Sequence, residues 1–353
     1  MSFTNGDIVT IEAAPTAGRG TIADRPNVVN LAGASSTTAR NVGDRQKTAQ
    51  RLLRSTADRA YDGELDIDWD AEIAPDKKWI ADHRQTLYGS RLWNKLSEEQ
   101  RNTLGKHEMV AILSYGIFAE VMLSTMLLRT VIESNELVDD HSRYALAEVA
   151  EETRHSTMFG RAINKAGVAP YKMPKAVGVN LMTRMAGFIP RGPAVLAGTL
   201  LIEEVLDRLQ REMMNDADLQ PHMRQLMKIH VLEEARHITY AREELVRAIQ
   251  DRGRVSNAFH RGLFAFQHLM LQPMIVNPGV YRSVGIHPLR GFLAAFTSDH
   301  YRENAIFVSE PLLRFLYDVG MIKGRFTTRL FKMSRALPGD MLDEINRVAA
   351  RAA

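Results

Sequence analysis

The residues in this chain best suited to chemistry occur as two five-residue strings, Glu151-Glu152-Thr153-Arg154-His155 and Glu233-Glu234-Ala235-Arg236-His237. Both read E-E-x-R-H. On a helix the second Glu and the His stand at i and i+3, so a carboxylate and an imidazole project from one face and can reach the same metal ion. A single carboxylate precedes each string at nearly the same distance: Glu120 lies 32 residues before Glu152, and Glu203 lies 31 before Glu234. Two Glu-x-x-His pairs plus two lone Glu residues, one group per helix, form the ligand pattern of a carboxylate-bridged dinuclear centre in a four-helix bundle. His230 stands four residues before Glu234 and seven before His237, on the same helix stripe, and offers one metal an extra imidazole.

One such string alone carries little weight, because Glu and Arg are ordinary residues of a solvated helix face. The repeat is what matters. Glu120 has no charged neighbour from Met109 to Leu128, so a surface salt-bridge face does not account for it. Four carboxylates in a bundle core are strongly disfavoured unless protonated or compensated, whereas four Glu and two divalent ions sum to zero charge. Helix phase selects Glu203 over its neighbour: Glu203 shares a face with Leu196, Thr199, Leu200 and Leu206, while Glu204 aligns with Arg208 and Arg211. The chain has no cysteine, which excludes disulfides, iron–sulfur clusters and thiolate sites. Imidazole and carboxylate donors suit iron or manganese. Oxygen chemistry requires a metal that changes oxidation state, so two Fe ions are the expected cofactor, with manganese as the alternative and O2 as co-substrate. Glu151 and Glu233 are placed to accept the free ring N–H of a ligating His on the facing helix, with Arg154 and Arg236 neutralising them.

Four long helices must position these groups. The sequence predicts them at about 106–134, 137–166, 191–215 and 219–250, punctuated by Asn135, by Gly167 and Pro170, by Pro190 to Pro193, and by Pro221. Ser97 and Gln100 form a capping box that opens a helix just before the first of these. A basic amphipathic helix is expected from Asp44 to Ala60, an acidic extended arm from Tyr61 to Pro75, and a short helix from Lys175 to Ile189. Further helices are expected over Phe259–Met274, His300–Val319 and Met341–Ala352. No period-two apolar run is long enough for a central strand, and no glycine-rich phosphate loop is present, so the class is all-α. Residues 1–45 read as a flexible tail and 46–353 as a single domain with its core bundle at about 106–250.

At 353 residues, 45% apolar and 25% charged, the chain is globular rather than disordered. Its net charge of +3 is too small to argue for nucleic acid, and Lys77, Lys78, Arg325, Arg329 and Lys332 read as solvated faces. Met109 to Leu128 is long enough to span a bilayer, but a carboxylate at its centre favours a bundle interior, so no membrane is expected. The opening MSFTNGDIVTIEAAP lacks a basic-then-apolar signal pattern, which predicts a cytoplasmic protein. Met213, Met214, Met223 and Met227 read as core packing. Glu98, Glu99, Asp139 and Asp140 read as helix N-terminal charges. His83, His107, His141, His222, His260, His268, His287 and His300 are expected to be structural or solvated.

The set Glu120, Glu152-x-x-His155, Glu203 and His230-x-x-x-Glu234-x-x-His237 resembles the p-aminobenzoate N-oxygenase family of ferritin-like diiron oxygenases. Leu87-Tyr88-Gly89, Leu96-Ser97-Glu98-Glu99-Gln100-Arg101 and His107-Glu108 are similar to the same family, and the likeness extends over about residues 80–250. The resemblance implies a ferritin-like four-helix bundle, here with additional N- and C-terminal helices, in which all seven residues ligate metal at the catalytic centre. It implies a diiron monooxygenase that activates O2 through a peroxo-diiron species and oxidises an aromatic amine through hydroxylamine towards nitro. An external electron donor and a homodimer follow from the same likeness. The expected partition gives Glu120, Glu152 and His155 to one iron and Glu203, His230, Glu234 and His237 to the other, with one or two Glu bridging. Tyr115, five residues before Glu120, is expected to wall the pocket. The rival readings are a diiron hydroxylase or oxidase acting on carbon, a non-catalytic ferritin-like metal-binding or iron-storage protein, and a helical interaction protein whose acids only form salt bridges.

Overall fold

Local capping chemistry sets the ends of the helices that carry the candidate ligands. The computed structural model describes residues 42–134, 136–172, 189–271, 273 and 276–351. The tail expected over 1–45 lies outside the described residues apart from its last four, as does the helix expected over Lys175–Ile189 apart from Ile189. In chain order the helices are α1 Arg45–Asp58, α2 Glu98–Ser134, α3 Asp140–Ala166, α4 Pro193–Asn215, α5 Pro221–Gln250, α6 Arg254–Leu271, α7 Pro288–Phe296, α8 Asp299–Asp318, α9 Arg325–Met333 and α10 Gly339–Arg351.

Helix α2 starts at Glu98, earlier than its apolar pattern suggests, and runs on without a break for 37 residues. Its start is the capping box: Ser97 N–H donates to Gln100 Oε1 at 3.0 Å, and Gln100 N–H donates to Ser97 Oγ at 3.2 Å. Asp139 caps α3 by accepting from Ser142 N–H at 2.8 Å, and Gly167 ends it in the left-handed conformation, φ 65°. Proline occupies the first position of both α4 and α5, where its missing N–H leaves no bond unmade. The arm expected to be extended over 61–75 forms turns and bends joined by irregular backbone, and buries Tyr61, Ile67 and Trp69. Helices α7 and α9 were not expected from the sequence; at nine residues each they are too short to show a helical period.

Helix α2 packs along α3 and α4 along α5, and α3 meets α5. The short links 135–139 and 216–220 make each pair a hairpin, so the bundle is two helix hairpins face to face. Helix α1 lies over α3 and α5, with Ala49 and Leu52 against Tyr144 and Tyr240. On the other side α6, α8, α9 and α10 build an apolar cluster over α4 that includes Leu200, Phe264, Leu312, Leu316 and Phe331. The fold is all-α and ferritin-like, with no strand among the described residues and one isolated bridge between Lys78 and Leu219. Helix α2 is long and apolar enough to cross a membrane by length and composition; here it packs along α3 and buries Glu120 near its middle.

Close approach of α2 and α3 depends on Gly116. A methyl group there would sit 2.8 Å from a ring carbon of Phe159, and that ring lies 5.0 Å from the imidazole of His230. Gly116→Ala is expected to destabilise the protein, because overpacking of about 1–3 kcal/mol exceeds the gain of roughly 0.5–1 kcal/mol in helix propensity. Urea unfolding of the two proteins measures the difference.

Candidate metal centre

Each helix of the bundle delivers its part of the site. Helix α2 presents Glu120, α3 presents Glu152 and His155, α4 presents Glu203, and α5 presents His230, Glu234 and His237. All seven are buried, and Glu152, His155, Glu234 and His237 have no exposed surface at all. Their donor atoms converge in two groups, each within 4.8 Å: Glu120, His155, His230 and Glu234 form one, and Glu152, Glu203, Glu234 and His237 form the other. Glu234 belongs to both.

The partition expected from sequence is therefore corrected. His230 joins Glu120 and His155, with its Nε2 3.2 Å from Glu120 Oε1 and 3.4 Å from Glu234 Oε1. Glu152 joins Glu203 and His237, with its Oε1 2.8 Å from His237 Nδ1. The reason is helical rise: seven residues along α5 separate His230 from His237 by about 10.5 Å, so they flank Glu234 from opposite ends and cannot share an ion. Glu152 also lies 3.2 Å from His155 Nδ1 through its other oxygen, which puts it between the two groups.

The donor set fits a pair of metal ions. Glu120 Oε2, Glu152 Oε1, Glu203 Oε1, both Glu234 carboxylate oxygens and His237 Nδ1 are buried and make no hydrogen bond, although they crowd together. Buried polar atoms are ordinarily satisfied, and these are lone pairs aimed at common points. The imidazoles are fixed from behind. His155 Nε2–H donates to Glu233 at 2.9 Å and His237 Nε2–H donates to Glu151 at 2.8 Å, so each helix orients the other helix's histidine. Arg236 donates to Glu151 at 2.5 Å and Arg154 to Glu233 at 3.4 Å. These bonds leave Nδ1 of both histidines free to face the carboxylates. His230 is reversed: its Nδ1 meets Gln210 at 2.8 Å and its Nε2 points inward.

Charge follows the same geometry. Burial, reinforced by the Glu152 and Glu234 carboxylates, holds the Glu120 carboxyl well above the usual range. Burial and the neighbouring His155 hold His230 well below its ordinary value, so it is a neutral imidazole with a lone pair to give. Sequence reasoning missed two buried groups here, Gln210 and Glu148. Glu148 lies one turn before Glu152, and burial pushes its carboxyl up to about 8; following the ligand stripe of α3 backwards would have found it. Glu204 is buried as well, but it pairs with Arg242 of α5 and not with Arg208 or Arg211.

Two cavities adjoin the centre. A small one of about 20 Å³ touches Glu120, Glu203 and His230. A larger one of about 150 Å³ lies between α2, α4, α6 and α8 and is lined mainly by apolar side chains, with Tyr115 in its wall as expected. Ile112, Ile202, Leu206 and Leu209 line both, so these four side chains form the partition between them. His268, expected to be structural or solvated, and Glu108, quoted above only as part of the family likeness, also line the larger cavity. His268 is 2% exposed, and burial lowers its pKa to about 4, so it is neutral.

An all-α bundle with two buried Glu/His groups that share one carboxylate defines a ferritin-like protein with a candidate dinuclear metal centre. Residues 42–320 match the family described as p-aminobenzoate N-oxygenase AurF, and the chain belongs to that family. Similar proteins include uncharacterized proteins of Mycobacterium bovis and Mycobacterium tuberculosis, each 29% identical over 201 residues. That match covers 55% of this chain and 58% of each relative, so the chain spans little more than half the length of these relatives.

Two outcomes follow from this geometry. Glu151→Gln or Glu233→Gln removes the charge that orients a histidine, and each is expected to weaken metal affinity by about 10–100-fold, measured by chelator competition. Glu108 supplies a pH signature. Burial pushes its carboxyl up to about 7 against the bonds from Thr86. The native state then binds more protons than the unfolded state above about pH 4.5, so stability falls as pH rises towards 7. Relative to Glu108→Gln, the wild type is expected to lose roughly 3 kcal/mol across that window, read from urea melts at pH 4.5 and 7.

Proposed function

We propose that this chain is an N-oxygenase that uses two iron ions and O2 to convert a small aromatic amine to its hydroxylamine and nitro products. The observation that carries the reading is the third imidazole: His230 stands beside Glu120 and His155, held by Gln210, and completes an eight-donor arrangement in which Glu234 counts twice. Glu120, His155, His230 and Glu234 would hold one ion and Glu152, Glu203, Glu234 and His237 the other. Bound iron would supply the change of oxidation state that oxygen activation requires, a role open to manganese and closed to zinc.

The rest of the work falls to protein groups. Glu151 and Glu233 hold the ring protons of His237 and His155 on Nε2 and so keep Nδ1 available as donor. Ile112, Ile202, Leu206 and Leu209 exclude water between the centre and the larger cavity. A cavity of about 150 Å³ accepts one aromatic ring, which supports an arylamine over a long acyl chain. The reading includes an external electron donor and a homodimer; exposed Val121, Leu128 and Ile132 on α2 support an apolar contact between copies.

The test is turnover of aniline-type substrates by purified protein loaded with iron, with products identified by mass spectrometry. N-oxygenated products are expected at two iron ions per chain. His230→Ala is expected to keep its helical circular-dichroism spectrum and lose more than about 100-fold in activity. Normal aniline turnover by that variant, or oxygen delivered only to carbon, would overturn the proposal.

A further inference from the structure

Helix α2 carries an acid at each end of one stripe. Glu108, Ile112, Gly116 and Glu120 recur every four residues: Glu108 and Ile112 line the larger cavity, and Ile112, Gly116 and Glu120 line the smaller one, which touches the metal centre. Twelve residues of helix separate the two acids, a rise of about 18 Å. The wall between them is apolar.

Glu108 is 5% exposed. Its partners are the Thr86 backbone N–H, shared between Oε1 at 3.2 Å and Oε2 at 3.1 Å, and the Thr86 hydroxyl, which donates to Oε1 at 2.5 Å. No cation is among its partners in the described residues. A carboxylate accepts about four hydrogen bonds, and Oε2 receives only the shared N–H, so one acceptor position is open at the cavity wall. The other charges of this wall are already satisfied. Arg84 spends Nε and Nη2 on Glu212, at 3.1 and 2.6 Å, and Nη1 on Asn304 at 2.6 Å, and its guanidinium lies over Phe307. His268 is uncharged. A ligand carboxylate at this end would thus meet an acid and find no available cation.

We infer that the substrate is an aromatic amine bearing a short apolar chain that ends in a hydrogen-bond donor or a cation, seated on Glu108, and that amines ending in a carboxylate are rejected. This rests on the reading of the chain as an arylamine oxygenase. The larger cavity is sized for the ring, and a chain of a few methylenes spans part of the remaining rise of about 18 Å between the two acids.

Three probes of equal length separate the possibilities: 4-(4-aminobutyl)aniline, 4-(4-aminophenyl)butan-1-ol and 4-(4-aminophenyl)butanoate. Their binding to the full chain is measured by calorimetry at a pH well above 7, where the Glu108 carboxyl is ionised, and without oxygen, so no turnover is needed. The amine and the alcohol are expected to bind at least ~10-fold more tightly than the butanoate, as a charge-assisted bond in a dry site implies. Glu108→Gln is expected to bring the three within ~3-fold of one another. Equal or tighter binding of the butanoate by the wild type overturns the inference, as does an unchanged ratio in a folded Glu108→Gln protein. If that variant fails to fold, the wild-type ratio decides. Selective binding with no N-oxygenated product supports the Glu108 seat and counts against the proposed reaction; N-oxygenation with no selectivity does the reverse.

Discussion

Glu120, Glu152, Glu203 and Glu234 are forced together in a space shut off from water, and their mutual repulsion sets the terms for the rest of the molecule. Four carboxylates at this spacing need positive charge, and the protein's own share comes from His155 and His237, whose pKa values, against the cost of burial, the neighbouring carboxylates raise well above the ordinary value. Its arginines, Arg154 and Arg236, stand one layer back and neutralise Glu151 and Glu233 rather than the inner acids. Five of the inner oxygens, Glu120 Oε2, Glu152 Oε1, Glu203 Oε1 and both of Glu234, are left without hydrogen bonds. Such a centre stores unfavourable electrostatic energy until cations enter it, and the surrounding packing must be strong enough to hold it closed.

That packing comes from repetition. Two helix hairpins each contribute an apolar helix with one Glu and a helix with Glu-x-x-His, and the hairpins face each other so that α3 and α5 exchange partners across the centre. The reciprocity is economical in its physics: the residue before each ligating Glu fixes the opposite helix's histidine, so neither ring can turn without losing a buried, charge-assisted bond. The apolar clusters around α1 and around α6, α8, α9 and α10 hold the hairpins in this register.

The cavities give the centre a direction. The side facing α2 and α4 opens into space, where four aliphatic side chains separate the metal groups from the larger cavity. The opposite side is filled by Tyr144 and Tyr240 beneath α1. The larger cavity is lined mainly by apolar side chains and Arg84 is locked to Glu212, so most of its wall selects by shape.

What the sequence determined by itself was whatever a single helix can express. The E-E-x-R-H strings, the choice of Glu203 over Glu204, the capping box of α2 and the role of Glu151 and Glu233 all follow from a 3.6-residue period or from adjacent residues. Tertiary structure decided what lies between helices. His230 went to the group of Glu120 and His155, Glu204 found Arg242, Gln210 came in behind His230, and Glu108 and His268 met across one cavity. Those pairings depend on how far each helix slides and rotates against its neighbour, and side-chain packing across the bundle, which no period along the chain encodes, sets both quantities.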